Sequence, residues 1–329
     1  MQAIQIQRFG GPDVLELVRL PDPTPGPTEV LLAIEAAGVN RADVLVRSGR
    51  YHRAGQPPLV LGVEGAGTVL AVGADVEGFI VGQRVVAMGE TNVPGLYADR
   101  AVVPATRVIA VPDGVDLRSA AALPTSWLSA WYCLRRLADI QAGETVLIHA
   151  AASGVGSAAV RIAVDAGATV IATAGSAEKG NWVRDLGAHQ VLDSATLHGE
   201  ALVDEVKRLT DGKGVDAVLD IVGGPVFADS LRVIGYGGRV AAMGNVALAP
   251  STVDTRDFYP KNGRIFGFQI TALMEHGYDP RLDLGELLAG VAAHRFTVDI
   301  DAEYPLANAA DAHRHIEQRA NRGKVLLTM

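Results

Sequence analysis

The run Val146-Leu147-Ile148-His149-Ala150-Ala151-Ala152-Ser153-Gly154-Val155-Gly156-Ser157-Ala158-Ala159 has the residue types needed to hold a pyrophosphate. A strand-like apolar stretch leads into a turn of small residues, and Ala158 to Ala166 continues with helical composition. Residues without bulky side chains let the backbone approach a diphosphate, whose charge then meets unpaired N–H groups and the positive end of the next helix. Ser153, Gly154, Val155 and Gly156 are therefore candidate cofactor-binding residues. The run departs from G-x-G-x-x-G: Ala151 and Ser153 stand where glycines are usual, and only Gly154 and Gly156 are kept. An ordinary strand-to-helix turn would use similar residues, but the flanking strand and helix supply the context that a dinucleotide site requires.

The end of the second strand in such a sheet selects the dinucleotide. Sheets that prefer NAD carry a carboxylate there for the ribose hydroxyls. This chain has Ala174-Gly175-Ser176, with Lys179 close by. Without a carboxylate to repel a 2′-phosphate, and with Ser176 and Lys179 to bind one, NADPH is favoured. Glu178, inside the same turn, works against this reading, and Lys179 could equally be a solvated charge at a helix start. Two later turns, Ile221-Val222-Gly223-Gly224 and Met243-Gly244-Asn245, end apolar strands at the edge where ligands bind, so Gly223, Gly244 and Asn245 are candidates to line the nicotinamide.

These motifs need two domains to position them. A chain of 329 residues exceeds the size at which single cores stop growing. The first 119 residues carry short β-branched runs (Val30 to Ile34, Gly67 to Val72, Arg84 to Ala87, Arg107 to Val111) between Gly and Pro turns, which predicts a small, partly open β-barrel or sandwich. From about Ala120 the texture changes to strands (145–149, 169–173, 190–193, 217–221, 239–243, 264–268) alternating with helical stretches, the α/β pattern of a doubly wound parallel sheet. Helices over Leu282 to His294 and Ala307 to Arg319 and a last strand, Lys324 to Thr328, are expected to return to the first domain. The expected division is 1–119 with 268–329, and 120–267.

Composition narrows the partners. A net charge of −8 argues against a nucleic-acid backbone partner, which needs clustered Lys and Arg. The single cysteine, Cys133, excludes an internal disulfide and any all-cysteine metal site, and fits a reduced, cytoplasmic compartment. No stretch reads as a signal peptide or a membrane span.

Five further stretches join the Ala151 to Gly156 turn: Gly38-Val39-Asn40-Arg41-Ala42-Asp43, Arg47-Ser48-Gly49-Arg50-Tyr51, Gly62-Val63-Glu64-Gly65-Ala66-Gly67, Val81-Gly82-Gln83-Arg84-Val85 and Gly323-Lys324-Val325. Through them, and across nearly its whole length, the chain resembles the zinc-free quinone oxidoreductase (zeta-crystallin-like) branch of the medium-chain dehydrogenase/reductases. The resemblance implies a GroES-like catalytic domain beside a Rossmann NADPH-binding domain. Asn40, Asp43 and Tyr51 match residues that line the nicotinamide and substrate cleft, and Tyr51 is the one suited to donate a proton or a hydrogen bond. Asn40 could instead be a loop residue satisfying backbone groups. Leu45 replaces a tyrosine common in the family, which makes the cleft more apolar.

On the same resemblance Ser129 lies near the cofactor, Ser194 replaces a tyrosine beside the adenosine, and Arg322 and Lys324 reach the cofactor phosphates. Phe266 and Phe268, on the strand Arg264 to Phe268, are further cofactor candidates, and this edge strand is implied to meet its copy in a homodimer. Zinc-dependent relatives have a cysteine at the position of Asn40 and a histidine at that of Val63, so Glu64 alone cannot hold zinc and no metal is expected. Without a metal to polarise a carbonyl, the acceptor must be intrinsically electrophilic, which points to quinones. Two alternatives stand: an NADPH-dependent 2-enoyl thioester reductase, and an NADPH-binding sensor or RNA-binding protein without turnover.

Overall fold

The computed structural model describes residues 1–329 as two compact units, Met1–Leu128 with Asp279–Met329, and Ser129–Tyr278. The segment 120–128 falls in the first unit because the backbone N–H of Thr125 donates to Glu64 Oε2 at 2.6 Å. The segment 268–278 falls in the second, where the Tyr132 ring packs against Phe268 and Tyr278 at 5.6 and 4.9 Å.

The second unit is a six-stranded parallel sheet. Its strands lie in the order Gln190–Asp193, Thr169–Ala174, Thr145–Ile148, Val215–Asp220, Ile234–Ala242, Arg264–Gly267. Val146, Leu147 and Ile148 are fully buried, as a central parallel strand covered on both faces requires. Helices Gly154–Asp165, Ala177–Asp185, Glu200–Leu209 and Pro225–Val233 follow successive strands. Leu202, Val203 and Val206 on one helix face pack with Leu147, Ile171 and Val218 of the sheet. Strand order reverses beside Thr145–Ile148, which puts the Ala150–Gly156 turn at the switch point where such sheets bind ligands.

The first unit is α/β with a β-dominated, GroES-like core: a seven-stranded sheet and a three-stranded one. The last strand, Lys324–Thr328, does return to this unit and runs antiparallel to Glu29–Val39, pairing Val325 with Val39. On its other side Glu29–Val39 pairs with Glu64–Val72, Ala37 opposite Gly65. Carried one residue further, these registers place Lys324 opposite Asn40 and Glu64 opposite Gly38, at one end of three adjacent strands.

Candidate active site

That register gathers the charged residues. Lys324 Nζ donates to Glu64 Oε1 at 2.5 Å and to Asn40 Oδ1 at 2.8 Å, while Asn40 Nδ2 donates to Glu64 Oε1 at 2.7 Å. Glu64 is fully buried, and Lys324 is 2% exposed. A side chain at Gly38 would come within 2.0 Å of Glu64 Oε1, so the glycine leaves the space through which this carboxylate reaches its partners. Lys324, expected at the cofactor phosphates, is instead an internal counter-ion, because an isolated buried Glu64 would carry an uncompensated charge.

Asn40 is more committed than its sequence position suggests. A carboxylate needs a donor and an ammonium needs an acceptor, which fixes the amide's orientation. Nδ2 also approaches the Gly38 carbonyl at 3.4 Å, and Oδ1, which accepts from Lys324, keeps one further lone pair. Asn40 precedes the helix Arg41–Arg47, and its backbone N–H donates to Asp43 Oδ2 at 2.8 Å, half of a capping box. Asp43 is 1% exposed. Burial, reinforced by the Glu64 charge, pushes its carboxyl up to about 7, against the pull of the Asn40 N–H, Tyr97 and Lys324. The buried Tyr97 hydroxyl has no hydrogen-bond partner of good geometry, and burial beside Asp43 raises it well above the usual phenol range.

Tyr97 meets His313 edge-on at 5.9 Å, and His313 Nδ1 faces Arg47 at 3.3 Å. Burial and the Arg47 charge lower His313 to about 3, so it stays neutral. Arg47, itself buried, reaches out to Glu317 at 2.5 Å. Tyr51 is half-buried, its ring 5.0 Å from His52 and packed on the cluster containing Val39, Leu59 and Leu61.

In the second unit the candidates line the carboxyl edge of the sheet. Ser153 caps the helix Gly154–Asp165, its Oγ accepting from the Gly156 N–H at 3.1 Å. A Cβ at Gly156 would lie 2.4 Å from the Ala150 carbonyl oxygen. The helix start is thus pressed onto the strand end, with Val155 beside it, forming a cradle of small residues suited to a pyrophosphate. Gly175 and Ser176 are exposed, and Ser176 Oγ accepts from the Lys179 N–H at 3.3 Å. The exposed Ser194 donates its N–H to the Ala174 carbonyl at 2.9 Å.

Gly223 and Gly244 adopt left-handed backbones (φ 70° and 100°), and Asp220 anchors the first by accepting from the Val222 and Gly223 N–H groups at 2.8 and 2.9 Å. Asn245 uses its amide to donate to the Ala249 carbonyl at 2.8 Å, holding its own loop. Ser129 is buried, Phe266 and Phe268 are half-buried, and Arg322, in the first unit, pairs with Asp301 at 3.6 Å. No three His, Cys, Asp or Glu side chains come together to hold a metal.

Comparison with known proteins agrees with this architecture. The family description "Alcohol dehydrogenase GroES-like domain" matches residues 26–113, and "Zinc-binding dehydrogenase" matches residues 154–284. A quinone oxidoreductase of Sus scrofa is 32% identical over 331 residues, covering 100% of this chain and 98% of the relative. The chain belongs to the medium-chain dehydrogenase/reductase family, in its quinone oxidoreductase branch. It is an oxidoreductase. Quinone oxidoreductase of Escherichia coli, solved with NADPH, superposes with a TM-score of 0.92 at 30% identity, each chain fully covered. An NAD-dependent alcohol dehydrogenase reaches a TM-score of 0.90 at 33% identity, also with both chains fully covered, so the shared fold spans both dinucleotides and more than one acceptor.

Sequence reasoning did not find Tyr97, Thr125 or His313, and it gave Glu64 and Lys324 other parts. A lone acid in the apolar run before Ala66-Gly67 and a lone ammonium opening an apolar last strand were the available signals.

Proposed function

We propose that this oxidoreductase reduces quinone-like electrophilic acceptors with NADPH and without a metal. The observation that carries the metal-free reading is the occupied carboxylate. Glu64 accepts from Lys324, Asn40 and the Thr125 N–H, so both its oxygens are engaged where zinc-dependent relatives build a metal site. A catalytic zinc needs three protein ligands, and none are assembled around it.

NADPH, when bound, supplies the hydride. The N–H groups at the start of helix Gly154–Asp165 would hold its pyrophosphate, Ser176 and Lys179 would receive the 2′-phosphate, and Gly223, Gly244 and the Asn245 backbone would line the nicotinamide. Asn40 offers one acceptor lone pair, and Tyr51 donates to the acceptor oxygen. A hydroquinone oxygen resembles a phenol, with a pKa of about 10, so no strong acid is needed and positioning supplies most of the rate. Asp43 keeps the Asn40 backbone in place rather than attacking anything.

The protein works as a cytoplasmic homodimer in this reading. Arg264–Gly267 ends its sheet with one edge unpaired, and Ile265 on it is 39% exposed, a liability unless covered. Sedimentation should show a dimer that Ile265→Lys weakens.

The deciding assay is NADPH oxidation by the purified protein with quinones and with trans-2-enoyl thioesters, NADH as the cofactor control and a chelator as the metal control. Quinone turnover that prefers NADPH and resists chelation is the expected result. Turnover of thioesters alone moves the assignment to enoyl reduction, and tight NADPH binding without turnover makes the protein a binder.

A further inference from the structure

Beneath the cofactor turn lies a buried polar chain to which the reaction assigns no part. Ala150 has a left-handed backbone (φ 48°), a conformation that disfavours a non-glycine residue and therefore needs support from its surroundings. Its N–H donates to Thr173 Oγ1 at 3.1 Å, and the next N–H, of Ala151, donates to the Thr173 carbonyl at 2.9 Å. The Ala150 carbonyl accepts from the Ser153 N–H at 3.0 Å and is the atom that a Cβ added at Gly156 would meet first. The twist at Ala150 thus sets both the corner that Ser153 closes and the surface under the first helical turn.

The Thr173 hydroxyl has a second partner. It is 3% exposed, and besides accepting from Ala150 it shares a hydrogen bond with His149 Nδ1, at 3.4 Å. His149 is equally buried, and burial lowers its pKa against the opposing pull of Asp220 and Asp229, so the ring is neutral, with one of its nitrogens facing the Thr173 hydroxyl.

We propose that Thr173 is a positioning residue for dinucleotide binding: its hydroxyl, oriented by His149, clamps Ala150 in the left-handed turn that aims the N–H groups after Ser153 at a pyrophosphate. The binding half of this rests on the NADPH reading above; the clamp itself does not. Thr173→Val keeps the shape and removes the hydroxyl, whereas Thr173→Ser keeps the hydroxyl.

Two readouts separate the possibilities. In the cofactor-free protein, amide exchange over residues 150–156 should be about tenfold faster in Thr173→Val and within about twofold of the natural chain in Thr173→Ser. NADPH affinity, measured by fluorescence titration, should fall about tenfold in Thr173→Val, and adding Ala150→Gly should recover most of the loss because glycine holds this backbone without the clamp. Equal exchange in Thr173→Val and the natural chain overturns the clamp. So does a Thr173→Ser chain that behaves like Thr173→Val, since packing of the methyl group would then be the cause. If the natural chain binds no NADPH, the proposed function and the binding half fall together, while exchange still decides the clamp. Should Thr173→Val not fold, His149→Phe is read the same way: faster exchange supports the clamp and unchanged exchange overturns it.

Discussion

The Ala150–Gly156 turn and the cluster around Lys324 both sit at the ends of sheet strands, yet they are built from different materials. The turn is contiguous, made of small residues, and offers backbone N–H groups with no charged side chain. The cluster joins Asn40, Asp43, Glu64, Tyr97 and Lys324, two carboxylates and an ammonium sealed from water. The turn is packed backbone against backbone, so its tolerance is set by single atoms at Gly156. The cluster depends on mutual neutralisation, so its tolerance is set by whether partners are removed together or singly.

The largest effect expected from that contrast is in the cluster. Lys324→Met leaves Glu64 buried and unpaired and should cost about 3 to 5 kcal/mol in denaturant unfolding, whereas Glu64→Gln with Lys324→Met should recover most of it. A single variant as stable as the natural chain would mean that the cluster is not charge-coupled.

Next is Gly156→Ala, whose methyl group would meet the Ala150 oxygen and the Ala151 backbone. Overpacking of about 1 to 3 kcal/mol predicts NADPH affinity reduced roughly 10- to 100-fold in a titration. Unchanged affinity would break the reading of the turn as a close-approach site.

The cluster and His313, which packs on its Tyr97, also predict two opposite pH signatures. Asp43 has a folded pKa near 7, above its unfolded value, so the stability it contributes is full below about pH 4 and is lost as pH rises through 7. Relative to Asp43→Asn, the natural chain should therefore lose on the order of a few kcal/mol between pH 4 and 7.5. His313, lowered to about 3, works the other way: its contribution is full above about pH 6.5 and is lost as pH falls toward 3, so the natural chain should lose ground to His313→Gln on acidification. Parallel pH curves for either pair would remove that group from the account. The smallest effect is Ser176→Ala, which removes the cap on the Lys179 N–H, about 0.5 to 2 kcal/mol, and should narrow the preference for NADPH over NADH. An unaltered cofactor ratio would leave Ser176 as a cap only.

Much of the fold is legible in the chain itself. The strands at 145–148, 169–174 and 190–193, and the last strand at 324–328, follow from apolar runs bounded by turn residues. Ser153 as a helix cap follows from its place before Gly154. Helix ends are less legible: the last helix spans Ala309–Glu317, with a tighter 3-10 turn at Leu306–Asn308, because local helical preference does not say where hydrogen bonds change spacing.

What the sequence determined by itself was therefore local: the Ala150–Gly156 turn, made of consecutive small residues, and the alternation that builds its sheet. What only the tertiary structure decided was the cluster. Asn40 and Lys324 stand 284 residues apart in the chain, and no spacing rule predicts that an ammonium expected at a cofactor phosphate will be enclosed against Glu64. Strand register brought them together, and the cost of burying a lone charge made them partners.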